Sequence, residues 1–255
     1  MTMFHSTHDA NTATVGWYGK LPAAGDFVQR RLPHDLIAWW DKWLQHGLAT
    51  LRGDPFAARA FASAPIWNFA VPARLGSGLV LLGAIGPSHD RVGRHYPLCA
   101  VSFLHPDDYD PAVLAQSGDY YRQLGTAIVG AVRHGRDLEQ LDQALQQTQL
   151  PCLTPPPAPA HTSEAPAAWS AGSDIMSILN AGLPIASDPI APAAPIAPTG
   201  PAWTELADCF NPGSHTSYWW TNQADGAALH TYVHGGALNA TLFGKLFSSF
   251  AALRR

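Results

Sequence analysis

The stretch from Leu79 to Leu104, LVLLGAIGPSHDRVGRHYPLCAVSFL, contains two apolar runs joined by a polar loop. Each run, 79–85 and 98–104, has the length of a strand, and the second has so few polar residues that it is typical of a strand buried on both faces. A third apolar run, 66–71, precedes Pro72 and a GSG turn. The sequence therefore predicts three strands of one sheet, with 98–104 as a buried central strand.

The flanking segments have the periodicity of further strands and helices. Apolar residues recur every three or four positions between Leu36 and Leu48, as an amphipathic helix requires, and Asp35 is a candidate cap for it. The other predicted elements are a strand at 15–18, helices at 111–134 and 138–145, strands at 218–222 and 229–234, and a closing helix at 238–253. The fold class predicted from these elements is α+β.

Composition excludes several classes of function. The chain has 255 residues, of which 13% are charged, and its formal net charge is −4 with only 15 Lys and Arg. This is too few cations for the phosphate-neutralising stripe of a nucleic-acid-binding protein. No apolar run of about 18 residues and no signal peptide is present, so we expect a soluble, cytoplasmic protein without membrane insertion. The three cysteines have no CxxC spacing, which agrees with a reducing compartment.

One internal segment differs sharply in composition from the rest of the chain. Residues 151–202 hold 12 of the 22 prolines and 13 alanines, without Lys or Arg. Such a segment cannot build a core, and we predict an extended linker or insert. Its apolar island at 174–183 is predicted either to dock as a short helix or to attract a partner.

The domain boundaries follow from this composition. We predict a disordered N-terminus at 1–14, an α+β core at 15–150, the Pro/Ala-rich insert at 151–202, and C-terminal strands and a helix at 203–255 that complete or adjoin the core.

The common catalytic signatures are missing from the sequence. It has no GxSxG, HExxH, Walker A or GxGxxG pattern. His230 and His234 would lie about 13 Å apart on a strand, too far to share one metal ion. We therefore expect no catalytic residue, no cofactor and no metal site.

Two loops are dense in glycine, proline and charged residues: GWYGKLPAAGDFV at 16–28 and DRVGRHYPL at 90–98. Glycine allows tight turns and proline restricts one torsion, so each loop should have a defined shape. The leading interpretation is that the charged residues pair with one another and lock the loops over the sheet, with a partner surface and a ligand site as alternatives. The four candidates for this pairing are Asp26, Asp41, Arg91 and Arg94. We expect Arg94 to pair with Asp26 or, as second choice, with Asp41.

These loops resemble a known family. GWYGKLPAAGDFVQRRLP at 16–33, WWDKWLQ at 39–45 and DRVGRHYPL at 90–98 are similar to the motifs of the TagF (ImpM, SciE-type) family of type VI secretion-associated proteins. The resemblance covers about residues 15–145, and the Pro/Ala-rich insert departs from it. The candidate structural or partner-binding positions in these segments are Gly19, Lys20, Pro22, Gly25, Asp26, Trp40, Asp41, Trp43, Asp90, Arg91, Gly93, Arg94 and Pro97, of which all but Arg91 match the family motifs.

The resemblance implies regulation rather than catalysis. Members of the family are described as cytoplasmic post-translational repressors that hold a forkhead-associated scaffold protein away from the secretion apparatus, and their fold is an antiparallel sheet between helices, related to longin or profilin-like modules. The alternative is an enzyme or small-ligand module with a site between the two loops. A closed, ion-paired loop without a cavity would favour the binding protein, whereas an open pocket with unpaired Lys20 and Arg94 would favour the ligand module.

Overall fold

Seven antiparallel strands form one open sheet with the order β2-β1-β5-β4-β3-β6-β7. The computed structural model describes residues 14–52, 54–151 and 201–248. The strands are β1 (Gly16–Gly19), β2 (Val28–Arg30), β3 (Trp67–Val71), β4 (Val80–Gly86), β5 (Leu98–Leu104), β6 (Thr216–Thr221) and β7 (Thr231–Gly235). The helices are α1 (His34–Ala49), α2 (Pro55–Ser63), α3 (Pro111–Ala115), α4 (Gly118–Arg133), α5 (Leu138–Gln146), α6 (Leu206–Cys209) and α7 (Ala240–Phe247).

Helices cover both faces of the sheet. Neighbouring strand residues point to opposite faces, and both faces carry apolar side chains that need to be buried. Leu82 and Trp220 face the core beneath α3, α4, α5 and α6. Leu81 and Trp219, their chain neighbours, face a second core beneath α1, α2 and α7. Strands buried on both faces need continuous apolar runs, which is why 80–86 and 98–104 contain so few polar residues. The predicted α+β class with an antiparallel sheet between helices is confirmed.

The predicted strands agree closely with the observed ones. The runs 66–71, 79–85 and 98–104 correspond to β3, β4 and β5. β5 lies inside the sheet, between β1 and β4, although the middle place belongs to β4. The predicted strands 218–222 and 229–234 correspond to β6 and β7 and join the same sheet. β6 pairs with β3 from Trp67 to Ala70.

The helix predicted over 111–134 is wrong as one element, since α3 and α4 are separate helices. The Ser117 backbone N–H and hydroxyl both donate to the Leu114 carbonyl, at 3.2 and 2.6 Å, and end α3. The new direction of α4 lets the Tyr120 hydroxyl donate to the Leu82 carbonyl at 2.7 Å and the Tyr121 hydroxyl to the Phe69 carbonyl at 3.1 Å. These bonds across the core, which no local pattern reveals, orient α4 on the sheet.

Three elements lack a prediction, and one predicted cap is wrong. The short elements β2, α2 and α6 are absent from the expected set. The start of α2 could be predicted from the sequence, because the Asp54 side chain accepts from the Phe56 N–H and Pro55 takes the first helical position. α1 begins after Pro33 without a side-chain cap, so Asp35 lies in its first turn instead.

Several expectations concern residues outside the described ranges. They are the N-terminus up to 13, the insert at 152–200 with its apolar island, and the end of the closing helix beyond 248. Among the helices that the structure describes, none is long and apolar enough to cross a membrane.

Candidate functional site

The two motif loops meet because the strands that carry them are paired. Gly19 at the end of β1 lies opposite Leu98 at the start of β5. Gly19 has φ +146°, and a Cβ there would lie 2.2 Å from the Pro97 carbonyl oxygen, so only glycine fits. The Ser88 hydroxyl donates to the Lys20 carbonyl at 2.7 Å. Backbone pairing thus brings the predicted Gly19, Lys20 and Pro97 to one corner of the sheet.

Asp90 is the centre of this corner, and its carboxylate is fully buried. Its Oδ2 accepts from the Lys20 ammonium at 2.9 Å and from the Arg94 Nε at 2.6 Å. Its Oδ1 accepts from the backbone N–H groups of Val92 at 3.1 Å and Arg94 at 2.9 Å. Four donors on one buried carboxylate make an ion-paired centre, which we call the Asp90 centre: Asp90, Lys20 and Arg94.

The balance of burial and donors determines the charge of Asp90. Burial alone would raise the pKa of this carboxyl group, because it removes water from the charged form. The hydrogen bonds from Lys20 and Arg94 outweigh burial and hold the pKa of Asp90 well below its usual range. The carboxylate therefore stays ionised at neutral pH.

The same turn also fastens the first loop. The Arg94 Nη2 donates to the Gly25 carbonyl at 3.0 Å, and the Arg91 N–H donates to the Ala24 carbonyl at 2.8 Å. Gly93 has φ +86° and its N–H donates to the Asp90 carbonyl at 2.9 Å, which closes the tight turn. Both loops are thereby connected by side-chain and backbone bonds.

The predicted pairing of Arg94 with Asp26 is wrong, and so is the second choice, Asp41. Asp26 is exposed, and its Oδ1 accepts from the neighbouring Phe27 N–H at 2.8 Å. Arg94 instead binds the carboxylate four residues before it in its own turn. Charged side chains do connect the two loops, but they are Lys20, Asp90 and Arg94, whereas Asp26 and Asp41 bind other groups.

Asp41 belongs to a separate set of hydrogen bonds on α1. Its Oδ1 accepts from the Tyr18 hydroxyl at 3.0 Å and from the Tyr96 hydroxyl, and its Oδ2 accepts from the Gln45 amide. Burial and the bond to Asp41 raise the pKa of Tyr96 far above its usual value, and burial raises the pKa of Tyr18 to about 12. Both tyrosines are therefore neutral hydroxyl donors to the Asp41 side chain.

Phe27 joins these two tyrosines in an aromatic group. Its ring stacks on Tyr18 with centroids 5.7 Å apart and meets the edge of Tyr96 at 4.7 Å. The Lys20 Nζ lies 4.9 Å from the Phe27 ring centroid, within cation–π distance. Phe27 nevertheless keeps 43% of its surface exposed, so the aromatic group ends at the molecular surface.

Three other predicted positions, Trp40, Trp43 and Pro22, contribute to packing and to a tight turn. Trp40 is buried against Phe69, and Trp43 packs on Trp219 and donates from its indole nitrogen to the Asn239 carbonyl at 2.9 Å. These two tryptophans hold α1 on the sheet. Pro22 is half-buried and follows Leu21 in a turn that the Ala24 N–H closes on the Leu21 carbonyl at 2.9 Å.

Sequence reasoning missed a second buried carboxylate, Asp142 on α5. Its oxygens accept from Arg31 at 2.7 and 3.0 Å, from the Trp17 indole at 2.7 Å and from the Gln146 amide at 2.8 Å. Burial opposes the charge, but the hydrogen bonds from Arg31 and Trp17 lower the pKa of Asp142 overall. Arg31 has φ 56°, an unusual backbone conformation for a residue other than glycine. No local motif signals this group, which we call the Asp142 centre: Asp142, Arg31 and Trp17.

A groove of about 700 Å³ lies beside the first loop, between the end of α1 and α2. We call it the α1–α2 groove. Its walls are formed by Phe27, Gln45, His46, Leu48, Ala49, Leu51, Arg52, Ala58, Phe61, His95 and Tyr96. Both motif loops thus contribute to it, through Phe27 from the first and His95 and Tyr96 from the second.

The described residues bring no three His, Cys, Asp or Glu side chains together as metal ligands. Cys99 is buried in β5, and burial raises the pKa of its thiol far above the ordinary value. A thiol in this environment is a poor nucleophile.

The fold places the protein in the α+β class. Its α+β architecture, an open antiparallel sheet between helical layers, is similar to the crystal structure of PA0076 from Pseudomonas aeruginosa PAO1 at 2.05 Å resolution, with a TM-score of 0.60. The two chains are 24% identical over 92% of this chain and 94% of that one. No protein of curated function is significantly similar in sequence.

The family follows from the motif-bearing half of the chain. A family model described as the TagF N-terminal domain, type VI secretion system-associated, matches residues 16–148. Because this range covers more than half of the chain, the protein belongs to the TagF family of type VI secretion system-associated proteins. The matched range contains both motif loops, the Asp90 centre and the α1–α2 groove.

Proposed function

We propose that this protein is a non-catalytic, cytoplasmic regulator that represses a type VI secretion system after translation, by binding a forkhead-associated scaffold protein. Membership of the TagF family supports the link to the secretion system. Repression and the scaffold partner come from the resemblance of the motifs to those of the family.

The observation that carries the proposal is the closure of the Asp90 centre. Lys20 and Arg94, the cations on which a ligand site between the loops would depend, both bind the Asp90 carboxylate. Lys20 is 7% exposed and its charge is neutralised inside the protein. Charged groups used in this way stabilise a surface of defined shape and are not available to a substrate.

The alternative, an enzyme or small-ligand module, has one observation in its favour. The α1–α2 groove has a volume within the range of about 300–1,000 Å³ that is typical of ligand pockets. Small-molecule sites, however, combine an apolar lining with a few well-placed polar groups that orient the ligand. The Tyr96 hydroxyl binds Asp41 instead, and Gln45, His46, Arg52 and His95 are all exposed. The groove therefore agrees better with a protein-binding surface than with a small-molecule site.

The test combines secretion with direct binding. In the native host, deletion of the gene should increase export by the secretion system, and overproduction should reduce export without changing the amount of the apparatus proteins. The purified chain should bind the purified scaffold protein in calorimetry. Unchanged export in both strains would refute repression, and absence of binding would refute the scaffold partner.

A control variant tests whether any change of surface charge affects repression. Arg74→Glu changes an exposed arginine after β3, at the end of the sheet away from the motif loops, and should leave repression unchanged. Asp90→Asn removes the negative charge that pairs with both cations and should abolish repression. If Asp90→Asn folds and still represses fully, the Asp90 centre does not support the regulatory surface.

A further inference from the structure

We propose that the α1–α2 groove binds an acidic peptide segment of the partner protein, with apolar side chains of that segment in the groove and its carboxylates against the rim. This inference rests on the proposed function, because it assigns a surface and a chemistry to the same partner. It is argued from the lining of the groove and from the charges around it.

The groove has an apolar floor on rigid supports. Leu48 comes from the end of α1, Leu51 from the turn that follows it, and the fully buried Phe61 from α2. Phe61 packs against Phe243 and Phe247 of α7, with ring centroids 6.3 and 5.2 Å away. An apolar groove between helices of this kind is suited to apolar anchor residues of a peptide.

The rim of the groove carries one cationic side chain, Arg52, which is exposed. None of the described lining residues is acidic. The Asp41 carboxylate nearby is occupied by hydroxyl and amide donors. A segment that brings carboxylates to this rim meets complementary charge, whereas a basic segment would meet like charge.

The exposed Phe27 extends the groove into a wider surface. It is 43% exposed and connects the groove to the motif loops. The Asp90 centre holds the loops behind Phe27 and Tyr96, so this wall is preorganised, which reduces the entropy lost on binding. A peptide is long enough to cover both the groove and the exposed face of Phe27.

The first experiment measures binding of the purified forkhead-associated scaffold protein to the full chain by calorimetry. Arg52→Glu should weaken binding about tenfold or more, because it reverses the charge of the rim. Arg74→Glu is the matched control and should change the affinity less than about twofold. Both positions are exposed, and unchanged thermal melts would show that both variants fold.

The second experiment identifies the segment. Overlapping 20-residue peptides that cover the scaffold protein are titrated against the full chain. The binding peptide should contain Asp or Glu beside apolar residues, and its analogue with Asn and Gln in place of the acids should bind at least tenfold more weakly. A binding peptide without acidic residues, or an equally tight amide analogue, would overturn the charge assignment.

The outcomes separate the two proposals. If the scaffold protein binds and Arg52→Glu has no effect, the groove proposal fails and the proposed function stands. If the scaffold protein does not bind at all, the proposed function fails and the groove proposal fails with it. A dimer in sedimentation that Arg52→Glu dissociates would assign the groove to a second copy of this chain and would also overturn the proposal.

Discussion

The Asp90 centre and the Asp142 centre each contain a buried carboxylate, but the donors of the two carboxylates come from different parts of the chain. Each places a carboxylate inside the protein and satisfies it with an arginine and further donors. Asp90 takes two of its donors from the backbone of its own turn, and its arginine lies four residues away. Asp142 takes its arginine from a position 111 residues away.

The difference shows what each centre stabilises. The Asp90 centre fixes the shape of two loops at the edge of the groove, where Arg94 remains 62% exposed on its side chain. The Asp142 centre connects α5 to the indole of Trp17 on β1, and its Arg31 side chain is only 25% exposed. The first centre therefore acts on the candidate site, and the second acts on the attachment of a helix to the sheet.

Loss of Asp90 should have the largest effect on stability. Asp90→Ala leaves the buried Lys20 ammonium without its partner, and breaking a buried ion pair is strongly destabilising. We expect the folding equilibrium constant to fall by roughly 100-fold or more in urea denaturation. The double variant Asp90→Ala, Lys20→Met should recover part of this loss, and an equally unstable double variant would contradict the pairing.

Acid should weaken the protein through both carboxylates. Each folded-state pKa is lowered, so the unfolded chain takes up protons first as the pH falls below the usual value of about 3.8. The stability due to Asp90 and Asp142 is thus fully present above that value and is lost as the pH falls towards the folded-state pKa. Urea midpoints between about pH 6 and pH 3 should fall more steeply for the wild type than for Asp90→Asn. Parallel curves would contradict the lowered pKa of Asp90.

Replacement of the two-pronged Arg31 guanidinium should weaken the Asp142 centre. Arg31→Lys keeps the charge but cannot make the paired bonds at 2.7 and 3.0 Å. We expect a loss of about 1–2 kcal/mol in unfolding free energy, reduced by the partial exposure of Arg31. Binding of the scaffold protein should not change, because this centre lies outside the groove lining. An effect on binding with intact stability would remove the distinction between the two centres.

Asp26 should show the smallest effect. It is exposed and accepts one bond from the adjacent Phe27 N–H, so Asp26→Ala should cost less than about 1 kcal/mol. Thermal melts of Asp26→Ala, with Asp90→Ala as reference, measure this. A loss as large as that of Asp90→Ala would mean that Asp26 takes part in locking the loops after all.

Much of the fold follows from local patterns. The apolar runs at 66–71, 79–85 and 98–104 were readable because strands buried on both faces exclude polar residues. The motif positions Gly19, Lys20 and Pro97 were also identifiable, since glycine, proline and charge cluster there. The start of α2 could have been found from Asp54 and Pro55, which form an N-terminal cap and first position.

The partners of the buried charges needed the tertiary structure. The two loops and α1 offer Arg94 several carboxylates, and the choice of Asp90 depends on a turn that Gly93 closes with φ +86°. Asp142 meets Arg31 only after α5 has packed against β1. The sequence by itself determined most of the longer strands and helices, because the periodicity of apolar residues is a local property of a chain. Only the tertiary structure decided which charges pair and that a groove opens between α1 and α2, because these depend on how distant segments pack in three dimensions.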